Sequence, residues 1–172
     1  MTSDPLFTGP ELCGLEAHEI VTLLKAKEIS SADLIDAAVA RIDQTGPMIN
    51  ATPTLCEARA RAVDLSNQDT TPAGYLAGLP ITIKDLNAVA NVRTTFGTKG
   101  LAEFIPQHND PLVDQLERQG AVILGKTNTP EFGAGGNTFN DVFGQTRNPW
   151  NTALNPGGSS GGAAASLAVG EI

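Results

Sequence analysis

Apolar positions along this chain change their period near its middle, and the change divides it into two regions. Over residues 15–27, Leu15, Ile20, Leu23 and Leu24 recur at helical spacing, which predicts an amphipathic helix because residues three and four apart share a face. Ser30 and Asp33 make a capping pattern for a second helix, whose apolar stripe is Leu34, Ile35, Ala38, Val39 and Ile42. The two helices are expected to form an antiparallel pair lying on something larger. Gly46-Pro47 should interrupt the pattern, and residues 54–66 read as a third helix with arginines and acids outward. Asn67 to Gly74 is polar and turn-rich, which predicts a surface loop.

From Gly78 the pattern becomes short apolar strands separated by glycine. Leu79-Pro80-Ile81-Thr82-Ile83 alternates with period two and delivers Lys84 at a strand end, where α/β sheets commonly place reactive groups. Asp110-Pro111 has helix-start chemistry, Leu112, Val113 and Leu116 supply an apolar face, and Gly120 fits the C-cap. Ala121-Val122-Ile123-Leu124-Gly125 then reads as a buried strand. A helix between two strands implies a parallel crossover, hence an α/β layer fold. Residues 133–158 are glycine-rich and lack periodicity. A loop of that length inside a domain is usually functional, and it reads as a pocket wall leading into a serine pair.

That pair sits in Pro156-Gly157-Gly158-Ser159-Ser160-Gly161-Gly162, two serines among four glycines. Glycine lets the backbone take conformations that side chains forbid, so hydroxyls and main-chain N–H groups can crowd around one small reacting group. Together with Lys84 the serines suggest hydroxyl chemistry without histidine. His18, in the first helix, and His108, in a polar loop, read as surface residues. A phosphate cradle is disfavoured, because the glycine cluster lacks the Gly-Lys-Ser/Thr ending that grips phosphates.

Composition narrows the partners. The 172 residues are 41% hydrophobic and 17% charged, enough for one globular unit burying about 70% of its unfolded surface. Eleven Lys and Arg against 19 Asp and Glu give a formal charge of −8 with no basic block, so nucleic acid is not expected as a direct partner. Cys13 and Cys56 are not in metal-type spacing and read as small apolar residues in a reduced, cytoplasmic setting. Met1 to Phe7 lacks a basic start followed by an apolar run, so no signal peptide is expected. No apolar run approaches the ~20 residues of a membrane span.

Four segments in order, Gly-Leu-Pro-Ile-Thr-Ile-Lys-Asp (78–85), Gly-Lys-Thr-Asn-Thr-Pro-Glu-Phe (125–132), Phe-Gly-Gln-Thr-Arg-Asn-Pro-Trp (143–150) and Pro-Gly-Gly-Ser-Ser-Gly-Gly (156–162), resemble the amidase signature family of Ser-Ser-Lys amidohydrolases. The resemblance implies a mixed sheet covered by helices. Residues 1–172 would then be the N-terminal part of a single amidase domain, with 1–70 a helical region and 71–172 the start of the catalytic α/β core. It also implies Lys84 as base, Ser159 as proton relay preceded by a cis peptide, Ser160 as a supporting donor, and Gly133, Ala134 and Gly135 beside an acyl pocket. The family's attacking serine lies in a downstream Gly-Gly-Ser segment. Here the only serine after Ser160 is Ser166, in a helical context, so the chain is expected to be a truncated amidase lacking its nucleophile.

Each assignment has a plainer alternative. Lys84 could be an exposed strand-end lysine in a surface ion pair. Acting as a base requires burial to bring its amine well below the reference value of about 10.4. Asp85 would oppose this if it faced the amine, but neighbours on a strand point to opposite faces, and Asp85 is expected to make structural hydrogen bonds elsewhere. Ser159 and Ser160 could simply cap a helix beginning near Gly161, and residues 133–135 could be a flexible turn. Glu131-Phe132 reads as core plus cap, Trp150 as packing, and Asn128 and Gln145 as loop supports.

The expected activity is that of a free-standing amidase, hydrolysing a small-molecule carboxamide to carboxylate and ammonia or amine, with no metal or organic cofactor. Self-association is left open. One alternative is the A-type subunit of the glutamyl/aspartyl-tRNA amidotransferase. Against it, that group usually carries a Met-Asp-Glu-Phe type segment where this chain has Thr129-Pro130-Glu131-Phe132. A non-catalytic fragment is the other alternative.

Overall fold

A computed structural model describes residues 9–172; Met1 to Phe7, which bear on the signal-peptide expectation, lie outside the described residues. Helix α1 (Ala17–Ala26) opens with a Glu16/Glu19 capping box and closes at Lys27 in the left-handed region (φ 59°). Helix α2 (Ser31–Ile49) starts where the sequence places it: Ser30 Oγ accepts from the Asp33 N–H at 3.2 Å, while Asp33 Oδ2 accepts from the Ser30 N–H at 2.8 Å. The expected antiparallel pair is not the main packing relation. Helix α2 packs chiefly on the 3-10 turn Glu11–Gly14, on the short helix α3 (Glu57–Arg61) and on strand β2 (Pro80–Lys84).

Pro47 does not end α2. The helix runs two residues past it because Ile49 is fully buried against Ala51, Ala165 and Val169, and the Asn50 N–H bonds the Gly46 carbonyl at 2.9 Å. A proline this close to the C-terminus disturbs only the last turn. The predicted helix over 54–66 shrinks to α3, because Thr54–Leu55 form strand β1. Thr54 and Leu55 pair antiparallel with Lys126 and Gly125, so backbone hydrogen bonding to the sheet wins over helical spacing.

The principal sheet is mixed, in the order β1-β3-β2, with β2 parallel to β3 (Val122–Thr127). Between them lies α4 (Pro111–Arg118), capped by Asp110, whose carboxylate accepts from the Leu112 N–H at 3.0 Å. Gly120 follows at φ 80°, and any Cβ there would come within 2.4 Å of the Tyr75 ring. The parallel register slips by one residue between Ile81 and Thr82: Ile81 faces Ile123, Thr82 faces Gly125, and Lys84 faces Thr127.

Every residue of β3 is buried, because helices or loops cover both faces. Val122 and Leu124 pack with Ile35, Ala38 and Ala60 on one side. Ile123 packs with Ile83, Val89, Val92 and Val113 on the other. The long region 133–158 is not structureless. It contains the short hairpin β4 (Phe139–Asn140) and β5 (Gly144–Gln145) before the last described helix, α5 (Gly161–Ala168).

Candidate functional site

The end of β2 and the start of α5 meet through three side chains. Lys84 Nζ donates to Ser159 Oγ at 2.7 Å and lies 3.0 Å from Ser160 Oγ. Lys84 and Ser159 are half-buried and Ser160 is exposed, so the cluster opens to solvent on one side. Burial pulls the Lys84 amine below its usual value, the direction that frees a lone pair for proton transfer.

The loop bearing the serines is held by close contacts that leave no room for a side chain at Gly158, Gly161 or Gly162. A cis peptide joins Gly158 to Ser159. Thr138 Oγ1 donates to the Gly157 carbonyl at 2.8 Å and accepts from the Gly161 N–H at 3.0 Å, bracketing the turn. A Cβ on Gly162 would lie 2.5 Å from both backbone N and O of Asn128, and one on Gly161 would lie 2.3 Å from Thr138 Oγ1. Ser160 occupies the N-cap position of α5 without capping it, since no side-chain cap bond forms and its hydroxyl meets Lys84 instead.

Asp85 turns away from this cluster. It is fully buried, accepting from the Thr95 N–H at 3.1 and 3.2 Å and from the Thr95 hydroxyl at 2.5 Å, and its Oδ1 lies 3.2 Å from Lys126 Nζ. The polar contacts of the Lys84 amine are therefore hydroxyls, while the neighbouring carboxylate is engaged by another lysine.

The structure adds Lys126, which the motif reading passes over. A charged residue directly following an apolar strand run is the only local signal for it, and it is a weak one; a fully buried lysine needs partners. Thr127 carries no such signal: it stands opposite Lys84, is fully buried, and its hydroxyl finds no partner among the described residues.

The candidate pocket residues divide. Ala134 and Gly135 line an open cleft of about 340 Å³ together with Pro130, Asn137 and Phe139, and Asn137 backbone packs on Gly158 next to the serines. Gly133 (φ 68°) does not line the cleft and instead packs on Leu86. Asn128 is a loop support as expected, bonding Gly144 O, Thr146 Oγ1 and Asn140 Nδ2. Three expectations fail. Glu131 and Phe132 are exposed, with Phe132 at φ 48° in a tight turn. Trp150 is 67% exposed, because it sits on a surface turn stabilised by Asn148 Oδ1.

Ser166, the only serine after Ser160, is buried in α5 with its hydroxyl on the Ala163 carbonyl at 3.1 Å. His18 and His108 are exposed, as expected. A larger groove of about 460 Å³, lined among others by Cys13, Ile20, Leu79, Ile81, Leu167 and Ile172, borders the outer strand β2. None of Lys84, Ser159 or Ser160 lines it. Among the described residues no group of His, Cys, Asp and Glu could hold a metal ion, and no helix is long and apolar enough to cross a membrane.

A lysine at a strand end, hydrogen-bonded to paired serines on a glycine turn within a mixed sheet, defines a class of α/β proteins with a Lys-Ser-Ser centre. A sequence model of the amidase family matches residues 33–172, and the chain belongs to that family, with the amidase signature fold. It is 44% identical over 165 residues to the A-type subunit of glutamyl-tRNA(Gln) amidotransferase from Carboxydothermus hydrogenoformans, covering 94% of this chain and 34% of the relative. Among solved structures it is similar to a bacterial aryl acylamidase of the amidase signature family (TM-score 0.82, 36% identity, 92% of this chain and 34% of that one). The corresponding glutamyl-tRNA(Gln) amidotransferase protein from Thermotoga maritima is similar too (TM-score 0.79, 28% identity, 96% and 34%). The chain thus spans about a third of the length of the relatives it matches.

Proposed function

We propose that the chain carries the base and relay of a centre that cleaves the C–N bond of a carboxamide. The observation that supports it most is the 2.7 Å contact between Lys84 Nζ and Ser159 Oγ. With Lys84 neutral, its lone pair takes the Ser159 proton, and Ser159 takes the proton of an attacking hydroxyl as that oxygen bonds the amide carbon. The proton returns to the departing nitrogen, giving ammonia or an amine, and water later releases the acyl group. Ser160 steadies the amine from its other side. Ala134 and Gly135 leave space for the acyl part in the cleft beside the serines. Residues 71–172 form the start of the catalytic core in this reading, and 1–70 its helical flank. The attacking serine that the family resemblance calls for is not among residues 1–172.

For the whole protein, the amidotransferase A-type subunit is the better supported reading, on the strength of relatives at 43–44% identity. The free-standing amidase is the second, favoured by Thr129-Pro130 before Glu131-Phe132 and by the likeness to the aryl acylamidase. Either fits a reducing cytoplasm, in which Cys13 and Cys56 stay free thiols.

The test is to purify the protein that contains this chain, alone and with whatever co-purifies, and to assay simple carboxamides and misacylated tRNA. Turnover of a simple carboxamide by the protein alone supports the amidase. Activity that requires co-purifying proteins and tRNA supports the amidotransferase. Turnover by either form that survives Lys84→Met undiminished overturns the Lys-Ser reading of the centre.

A further inference from the structure

A buried ion pair lies behind the strand end that carries Lys84. Lys126, on the central strand, and Asp85, the residue after β2, are closed to solvent and 3.2 Å apart. Lys126 also donates to the Asn87 carbonyl at 2.9 Å and to Thr94 Oγ1 at 2.8 Å. Asp85 is held by Thr95, whose hydroxyl accepts in turn from the Gly97 N–H at 3.0 Å. The Asn87 N–H closes on the Lys84 carbonyl at 3.0 Å, and the Asp85 N–H on the Thr127 carbonyl at 3.0 Å. The turn that leaves β2 just after Lys84 is thus pinned by this pair at both Asp85 and Asn87.

Stability alone is a weak reason for such a pair, because apolar residues of similar volume often do as well. Its charges matter more. The Asp85 carboxylate and Lys84 ammonium occupy neighbouring residues, their charges roughly 10 Å apart on opposite sides of the strand. At that range an uncancelled carboxylate would hold the proton on Lys84, with an effect of about one pH unit at interior-type dielectric. Lys126 cancels it from the far side.

We infer that Asp85 and Lys126 form a positioning pair for Lys84, which aims its amine at the serines while keeping the adjacent carboxylate electrically silent. The significance rests on Lys84 being the base, as proposed above, but the pairing itself is measurable without turnover. Burial lowers Lys126 from its usual value and Asp85 opposes that. The other titratable group acting on Lys126 is the Cys56 thiol, itself flanked by Arg59 and Glu117. Lys84 meets the two serine hydroxyls.

The experiment is an NMR titration of the Lys84 side chain in isotopically labelled protein, with the fold checked by backbone spectra. Lys126→Met should raise the Lys84 midpoint by about one pH unit, and Asp85→Asn should lower it by a similar amount. The double variant should return close to wild type. Lys126→Met can fail to fold, so Lys126→Arg and Asp85→Asn carry the test on their own: arginine keeps the charge and should leave the midpoint unmoved. A midpoint unchanged in folded Asp85→Asn, or shifted as far by arginine as by asparagine, overturns the inference. Absence of amide turnover with the coupling intact would count against the proposed activity and not against the pair.

Discussion

The Thr45 hydroxyl lies 2.6 Å from Glu171 Oε1 and 2.9 Å from the Arg41 carbonyl oxygen, so two acceptors compete for one hydroxyl proton. The conflict disappears if Glu171 carries a proton and donates it to Thr45 while Thr45 donates to Arg41. Burial raises the Glu171 carboxyl above its usual range, outweighing its hydrogen bonds from Thr45 and Thr52 and the Arg41 charge. Through Thr45 and Thr52, Glu171 ties α2 and the segment after it to the end of α5.

A carboxyl raised in the folded state adds stability that is fully present below its unfolded value, about 4.3. That contribution is lost as pH rises through the folded value. Glutamine resembles the protonated acid and does not titrate, so Glu171→Gln should remove this slope: wild type and variant should run together at acid pH and diverge as pH rises, the variant being favoured there. Urea unfolding at a series of pH values checks it, and parallel stability curves would refute it.

Lys84→Met and Ser159→Ala should each lower kcat/KM for amide hydrolysis by at least ~100-fold, the usual contribution of a general base. The double variant should be little worse than either, since groups acting as one relay are not additive. In wild type, activity should rise with pH as Lys84 loses its proton, starting earlier than for an ordinary lysine because burial favours the neutral amine. A pH profile of kcat/KM is the measurement.

Asp85→Ala leaves Lys126 as a buried cation without its carboxylate and strips Thr95 of its acceptor. The expected cost is about 3–5 kcal/mol, read from denaturant unfolding at neutral pH. A cost below about 1 kcal/mol, the scale of an exposed pair, would mean that water or backbone carbonyls satisfy Lys126 unaided.

Gly162→Ala places a methyl group against the backbone of Asn128, which cannot swing aside. Overpacking of this kind costs about 1–3 kcal/mol. It should also push the start of α5 outward, separating the serines from Lys84. A crystal structure or a lowered unfolding midpoint checks it; Gly46→Ala, inside α2 with open space around it, is the control and should not destabilise, alanine being favoured over glycine in a helix by about 0.5–1 kcal/mol.

Local rules make the sequence legible where a few neighbours decide the outcome. Ser30 with Asp33, Asp110 with Pro111, and the strand delivering Lys84 all stand where spacing puts them. The amidase signature segments lead to the Lys84–Ser159 contact although the two are 75 residues apart. What the sequence hides depends on distant partners. Pro47 is tolerated because Ile49 finds a buried site, and Thr54–Leu55 leave their helix because β3 offers an edge. Lys126 reads as the first polar letter after an apolar run until Asp85, Asn87 and Thr94 converge on it. The turn at residue 150 exposes its indole for a similar reason: nothing local says that no core lies beneath it.

The one-residue slip between the parallel strands has an electrostatic corollary. Paired without it, Lys84 would line up with Lys126 rather than Thr127, setting two ammonium groups side by side on one surface of the sheet, about 5 Å apart at the backbone. The unmatched Leu124 rotates them to opposite surfaces. A single inserted position thereby lets adjoining strands house one lysine that meets a carboxylate and another that meets hydroxyls.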